Sequence, residues 1–360
     1  MIAQVASAIA VLACTAGCSL DASREQQEGP LLVLLDSLVL EDPSSNPVGL
    51  VAGLATVAGE YFVSDRQQGV LLVFDRLGRV ARTIGRRGEG PGEWASGPLG
   101  IALSGPEAAF VSDGAYLKHI DLGRGVEIEK RRQSPSRPLV AMRNDTGWVR
   151  AIDREARRTL GRAYAVSDSF ALGGPFPAHL GRSQVVDNFL VALDAVPLDG
   201  DTIAVFVQGS DFVYVGPFGG PFDSAAVPAR RRRGGMTELL AAVRDDQPQT
   251  MEAAAYQASY PMEIARLPVS GMIALVLMDQ TFLGDRMSGP LFMSIVDLRT
   301  QRACVDAAIP GPTDPHPRVT FAGDTLVVLS QEVDSASAAA RTIVRRYRIA
   351  VERCAWTGGS

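Results

Sequence analysis

Apolar residues in this chain fall in short runs bounded by Gly, Asp or Ser. Glu60-Tyr-Phe-Val-Ser-Asp65, Gly69-Val-Leu-Leu-Val-Phe-Asp75 and Gly78-Arg-Val-Ala-Arg-Thr-Ile-Gly85 are the clearest. The runs are too short for helices and rich in β-branched and aromatic residues, so each predicts a strand closed by a tight turn. The phrasing recurs at Ala109-Phe-Val-Ser-Asp113 and Tyr116-Leu-Lys-His-Ile-Asp121. It returns at Thr146–Ile152, Ala163–Asp168, Phe189–Leu193, Thr202–Val207 and Phe212–Val215. Further on come Met262–Leu267, Met272–Met278, Leu291–Val296, Val319–Phe321, Thr325–Leu329 and Ile343–Ile349. One pattern differs: from Met236 to Ala258, Leu239, Leu240, Val243 and Met251–Ala255 alternate with charged residues and no β-branched run, which predicts a helix.

A strand-turn unit repeating roughly every 50 residues is the signature of radially repeated sheets. The expected fold is all-β: a six-bladed β-propeller with a helical insertion (236–258) between blades four and five. Leu31–Leu35 with Val39-Leu40 is left without a blade. It is expected to supply the outer strand of the last blade and so close the ring. The stretch Glu60 to Leu103 resembles the bacterial six-bladed propeller family with NHL-type repeats, often found on predicted lipoproteins. Phe62-Val-Ser-Asp65, Phe74-Asp-Arg-Leu-Gly78 and Gly88-Glu-Gly-Pro-Gly-Glu93 carry the resemblance. It is strong over residues 50–125 and weak in the second half. It implies a binding scaffold rather than any particular reaction.

The ends of the chain add an address. Ile2 to Leu12 is an uncharged apolar run, short for a membrane span and suited to a signal-peptide core. Thr15-Ala16-Gly17 before Cys18 resembles a lipoprotein box, with Cys14 a second candidate, although no Lys or Arg precedes the apolar run. The expected organisation is a signal peptide over 1–17, a polar tether over 18–29 lipidated at Cys18, and a propeller over 30–360. The absence of Asp after either Cys fits an outer-membrane destination in such families. In an oxidising compartment the remaining pair, Cys304 and Cys354, is expected to form a disulfide.

Composition narrows the function. The 360 residues are 46% hydrophobic and 21% charged with a net charge of −5, so neither disorder nor a dedicated nucleic-acid surface is expected. Among 35 basic residues only Lys118 and Lys130 are lysines. No Walker-type loop, His-Glu-x-x-His, Cys-x-x-Cys or Gly-x-Ser-x-Gly motif is present, and His119, His179 and His316 occupy unrelated positions. No cofactor, no metal and no catalytic residue are assigned.

Three features can still carry chemistry. The repeated Val-Ser-Asp at 63–65, 111–113 and 166–168 places Asp65, Asp113 and Asp168 after what are expected to be second strands. Converging carboxylates there could hold a hard cation, as in gluconolactonase-like propellers; singly, each Asp simply fixes a turn. The loop Gly88–Trp94 could present amides to an anion and Trp94 to a ring, or serve only as a crossover between blades. Asp65, Arg66, Glu89, Glu93, Trp94 and Asp113 form the expected ligand face. Arg230, Arg231, Arg232 and Arg233 could meet an acidic partner or lipid phosphates, or form a solvated loop. The expected function is an exported propeller that binds a small ligand or protein partner; the alternative is a metal-dependent hydrolase or lyase using carboxylates on the same face.

Overall fold

A computed structural model describes residues 31–42, 47–103, 105–114, 116–132, 139–143, 146–149, 162–165, 170–172, 193–200, 202–208, 210–217, 221–233, 258–279, 281–283, 286–311, 317–333 and 340–357. Side chains within 131–193 are not among those described.

Six sheets of sequential antiparallel strands carry the fold. The first blade is Val51–Val57, Glu60–Asp65, Val70–Phe74 and Val80–Ile84; the second is Gly100–Leu103, Ala108–Asp113, Tyr116–Asp121 and Val126–Arg132. The third is Leu139–Arg143, Thr146–Val149, Arg162–Ala165 and Phe170–Leu172, and the fourth is Leu193–Pro197, Thr202–Val207, Phe212–Pro217 and Asp223–Ala226. In the fifth, Tyr260–Arg266, Met272–Met278, Leu291–Asp297 and Arg302–Cys304 follow one another. The sixth is Arg318–Ala322, Thr325–Val333 and Ala340–Ile349, completed by Leu32–Val39 from the start of the chain.

The first strand of each blade touches the first strand of the next, and the contact between the sixth and first blades closes the circle. Those six strands therefore surround a central axis. Closure is made as expected: Leu32–Val39 lies antiparallel to Ala340–Ile349, in register from Leu32 opposite Ile349 to Val39 opposite Ile343, with a bulge between Leu34 and Asp36. Each sheet buries both faces against its neighbours, which is why middle strands read as unbroken apolar runs rather than alternating ones. Phe62, Leu71 and Val73 of the first blade pack on Val111 and Ile120 of the second; Leu54, Val63 and Leu72 pack on Val327 and Leu329 of the sixth.

Turn chemistry follows the residues. Ala58-Gly59 joins the first two strands of the first blade with φ of 53° and 82°, the paired positive values of a twist-matched hairpin. The C-terminal segment leaves the sixth blade through a short 3₁₀ turn, Val351–Arg353, and returns to the fifth. There Trp356–Thr357 adds a strand beside Arg302–Cys304. A Cys304–Cys354 disulfide, with Cα atoms 5.2 Å apart, fastens this return, as expected for an oxidising compartment.

The sequence expectations of a signal peptide, a tether with Cys14 and Cys18, and a helix over 236–258 fall outside the described residues, apart from Ala258 in a bend before the fifth blade. Among the described residues no α-helix occurs. The third Val-Ser-Asp is corrected in register. Arg162–Ala165 and Phe170–Leu172 are the third and fourth strands of their blade, so 166–168 does not follow a second strand. The first strand of the fourth blade is described over Leu193–Pro197; of the expected strand Phe189–Leu193, residues 189–192 lie outside the described residues.

Candidate functional site

Antiparallel order puts the joins between second and third strands, and between successive blades, at one end of the barrel of sheets. The joins at the other end are at most five residues long, as at 58–59, 75–79, 122–125 and 298–301. The first end carries 85–99, 150–161, 173–192, 227–259, 279–290 and 305–317, each of twelve residues or more. Every residue of the expected ligand face, and the arginine run, belongs to this long-loop end.

Asp65 and Asp113 do not converge. Each is fully buried at the end of a second strand and accepts hydrogen bonds from backbone amides of adjoining loops, the one entering its own blade included. Asp65 takes the N–H of Gly49 at 2.6 Å and of Gln68 at 2.9 Å. Asp113 takes those of Ala95 and Ser96 at 2.9 and 2.8 Å. Asp279 of the fifth blade repeats the device on the N–H of Arg233 (3.0 Å) and the hydroxyl of Ser259 (2.5 Å). Gln331 of the sixth donates to the carbonyls of Val48 and Gly49. A polar residue here satisfies backbone groups that would otherwise be buried without partners. Among the described residues no three His, Cys, Asp or Glu side chains gather into a metal-holding group.

The glycine loop folds onto itself. Arg86-Arg87 pairs in parallel with Glu93-Trp94, and the Glu93 carboxylate accepts from the Gly90 N–H (2.8 Å) and the Arg86 guanidinium (2.7 Å). Those contacts hold the Glu93 carboxyl below the usual range, the Gly90 amide contributing most. Trp94 is 1% exposed and donates to the Ile84 carbonyl, so it is a core residue between the first two blades with no free face for a ring. Gly85, with φ of 75°, is required where a Cβ would strike the Trp94 indole. Arg66 and Glu89 remain exposed beside this loop. Beneath it lies Lys118, 1% exposed, capping the Glu93 carbonyl and lying 5.0 Å from the Trp94 ring.

The arginine run is half anchored. The backbone N–H groups of Arg230, Arg231 and Arg232 converge on buried Asp306 at 3.1, 2.8 and 2.6 Å. The Arg232 side chain turns inward, donates to the Val227 carbonyl and faces Asp211 at 3.5 Å. Burial lowers its affinity for the proton, opposed by Asp211, Asp306 and Asp279. Only Arg230, Arg231 and Arg233 are presented to solvent.

A second group lies at the axis, where the first strands begin. Asp194, second in its strand, accepts from the N–H of Ile264 (2.6 Å) on the first strand of the next blade. A first strand is paired on one side only, so a carboxylate bound to its free edge lies on the axial side. Glu263 is close enough to Asp194 for their charges to oppose each other. Burial, joined by that repulsion, pushes Glu263 well up, and burial raises Asp194 to about 7. Both residues are half-buried. A bulge between Pro261 and Glu263 sets Tyr260 opposite Met278 and Glu263 opposite Val276, so the two lie on one side of the strand despite their spacing of three. Arg318, first in the sixth blade, lies near Tyr260; burial lowers its proton affinity and Tyr260 raises it. The available sequence signal was a charge inside an apolar first strand, as in Leu193-Asp-Ala-Val-Pro197 and Tyr260-Pro-Met-Glu-Ile264.

Residues 31–97, spanning the closing strand, the first blade and the glycine loop, match a family described as 6-bladed beta-propeller (DUF5128). The chain folds as a β-propeller. Among solved structures it is similar to a putative exported protein from Bacteroides fragilis, at 11% identity and a TM-score of 0.58, covering 89% of this chain and 95% of that one. It is also similar to a member of the DUF4221 family from Bacteroides vulgatus, at 10% identity and a TM-score of 0.57, covering 88% and 97%. At these identities the likeness is one of fold. Comparison with curated proteins gives no significant match.

Proposed function

We propose that this protein is an exported propeller scaffold that binds a small ligand or protein partner at its long-loop end, held at the outer membrane by a lipid on Cys18. The observation that carries the binding end is the asymmetry of the joins: five residues or fewer on one side, and twelve or more in six places on the other. Short turns complete sheets, whereas long loops on a rigid frame are where binding surfaces are built. Exposed Arg66, Glu89, Arg230, Arg231 and Arg233 rim this end, and Asp65, Asp113, Glu93 and Trp94 hold the loops that present them. The exported location is supported by the apolar leader before Cys18, the disulfide, and the description of one structural neighbour as exported. A metal-dependent hydrolase is disfavoured, because the carboxylates it would need are bonded to loop amides in separate blades.

Photo-crosslinking tests the face. A benzoyl-phenylalanine at Gln67 or Arg231 is expected to capture the same envelope species, while one at Arg76 or Arg124 on the short-turn end captures none. Capture only from the short-turn end would reverse the assignment. Fractionation of a Cys18→Ser variant tests the anchor: it is expected to leave the membrane fraction, and retention there would exclude lipidation at Cys18.

A further inference from the structure

Arg318 differs from the other inward-turned arginines. Its Nη1 donates to the carbonyl of its own neighbour, Pro317, at 3.1 Å, while its Nε is buried without a hydrogen-bond partner. No carboxylate lies within ion-pair distance of it among the described residues. Arg232, by contrast, has Asp211 and two carbonyls, and Arg345 has Glu332 and Ser330. Arg318 as a whole is half-buried, but a guanidinium partly withdrawn from water without a counter-charge is costly, and a fold that merely needed bulk there would be better served by an apolar side chain.

Its place suggests why it is kept. Arg318 opens the first strand of the sixth blade, Tyr260 opens that of the fifth, and Asp194 is second in that of the fourth. All three stand at the axis where the long loops meet the frame. Across from them, in the second blade, a Cβ built on Gly100 would meet nothing within 4 Å.

We propose that Arg318 is the anion-holding residue of a small-molecule site at the long-loop mouth of the channel, and that its ligand is a small carboxylate bearing a neighbouring hydroxyl or ammonium group. The planar guanidinium fork matches a carboxylate with two parallel hydrogen bonds. Glu263, on the same side of its strand as Tyr260, and its neighbour Asp194 set the rest of the ligand's chemistry. A carboxylate pair so close retains negative charge once one of its members ionises. It therefore repels a dianionic phosphate and accepts a hydrogen bond from a hydroxyl or an ammonium. The proposal rests on the long-loop end being the binding end, but the two are read by separate experiments: crosslinking from Gln67 and Arg231 reports the outer loops, and the titration below reports the axis.

The test is a thermal-shift and calorimetric titration of the purified mature chain with L-lactate, L-alanine, acetate and inorganic phosphate, on the wild type, Arg318→Met and, from the exposed short-turn end, Arg76→Met. Expected is a saturable rise in the wild-type Tm with lactate or alanine, exceeding that with acetate or phosphate. Arg76→Met is expected to keep it and Arg318→Met to weaken it at least tenfold. Without ligand, Arg318→Met is expected to match or exceed the wild-type Tm, since an unpaired charge is removed; a purely structural arginine would lower it. A lower Tm or failed folding of Arg318→Met would overturn the proposal. So would binding that survives in that variant, no binding of lactate or alanine, or phosphate binding as strong as theirs.

Discussion

Lys118, one of two lysines in the chain, has its ammonium 3.1 Å from Glu127 and 3.5 Å from Asp113. Both it and Asp113 are buried, and Asp113 in turn holds the amides of Ala95 and Ser96. A buried cation of this kind contributes little net stability relative to an apolar substitute, but removing it alone strands its partners. Lys118→Met is expected to lower unfolding free energy by about 3 kcal/mol, read from urea denaturation. Lys130→Met, an exposed change, should stay within about 0.5 kcal/mol of wild type. Equal effects from the two would show that the buried network does not hold residues 93–96 onto the second blade. The aspartate of this network was legible from the repeated Val-Ser-Asp, because a turn acceptor is needed at the same place in successive blades. Lys118 was not, because a lysine in an apolar strand reads as solvent-facing until the neighbouring blade is placed over it.

Among the connecting elements, the segment 227–233 leans on a single side chain. Asp306 lies two residues beyond Cys304 and receives three successive N–H groups from the arginine run, so the disulfide-fastened end of the fifth blade and the entry loop share one anchor. Asp306→Ala leaves those amides without an acceptor, a loss of about 2 kcal/mol if they stay buried. Local release relieves that loss, so the expected outcome is faster tryptic cleavage within Arg230–Arg233 under native conditions. Wild-type cleavage rates in Asp306→Ala would mean that the loop is held by Arg232 and Asp279 instead. Four consecutive arginines predict a solvated surface, and three side chains do face outward. What the run could not reveal is that its backbone is clamped, since the clamp comes from Asp306, far away in sequence. Blade boundaries fared better: Val51 to Ile84 and Leu99 to Arg132 were legible because Gly and Asp turns mark local strand ends.

Across the whole molecule, the ring closes through first strands that touch in sequence, and the Asp194–Glu263 pair sits in one of those contacts, between the fourth and fifth blades. Charging both carboxylates there would set like charges against each other where water is scarce, so protonation favours the closed ring. The sign follows from linkage: with Asp194 raised from 3.8 to about 7 and Glu263 raised well above 4.5, the native state binds more protons than the unfolded chain. Their contribution is fully present below about pH 4 and is lost as pH rises through about 7. Asp36, Asp297 and Glu332 act in the opposite sense, being held below their ordinary values, so the stability they supply is lost as pH falls through the lower acid range. The two windows are separable. The wild-type Tm is expected to fall between about pH 5 and pH 8. Histidines titrate over the same range, so the deciding comparison is the double variant Asp194→Asn/Glu263→Gln, which keeps an oxygen for the Ile264 N–H. Its Tm should be nearly flat over that interval and exceed the wild-type value at the alkaline end. A double variant that kept the wild-type slope would place the pH dependence elsewhere, and the axis would then be held closed by packing alone.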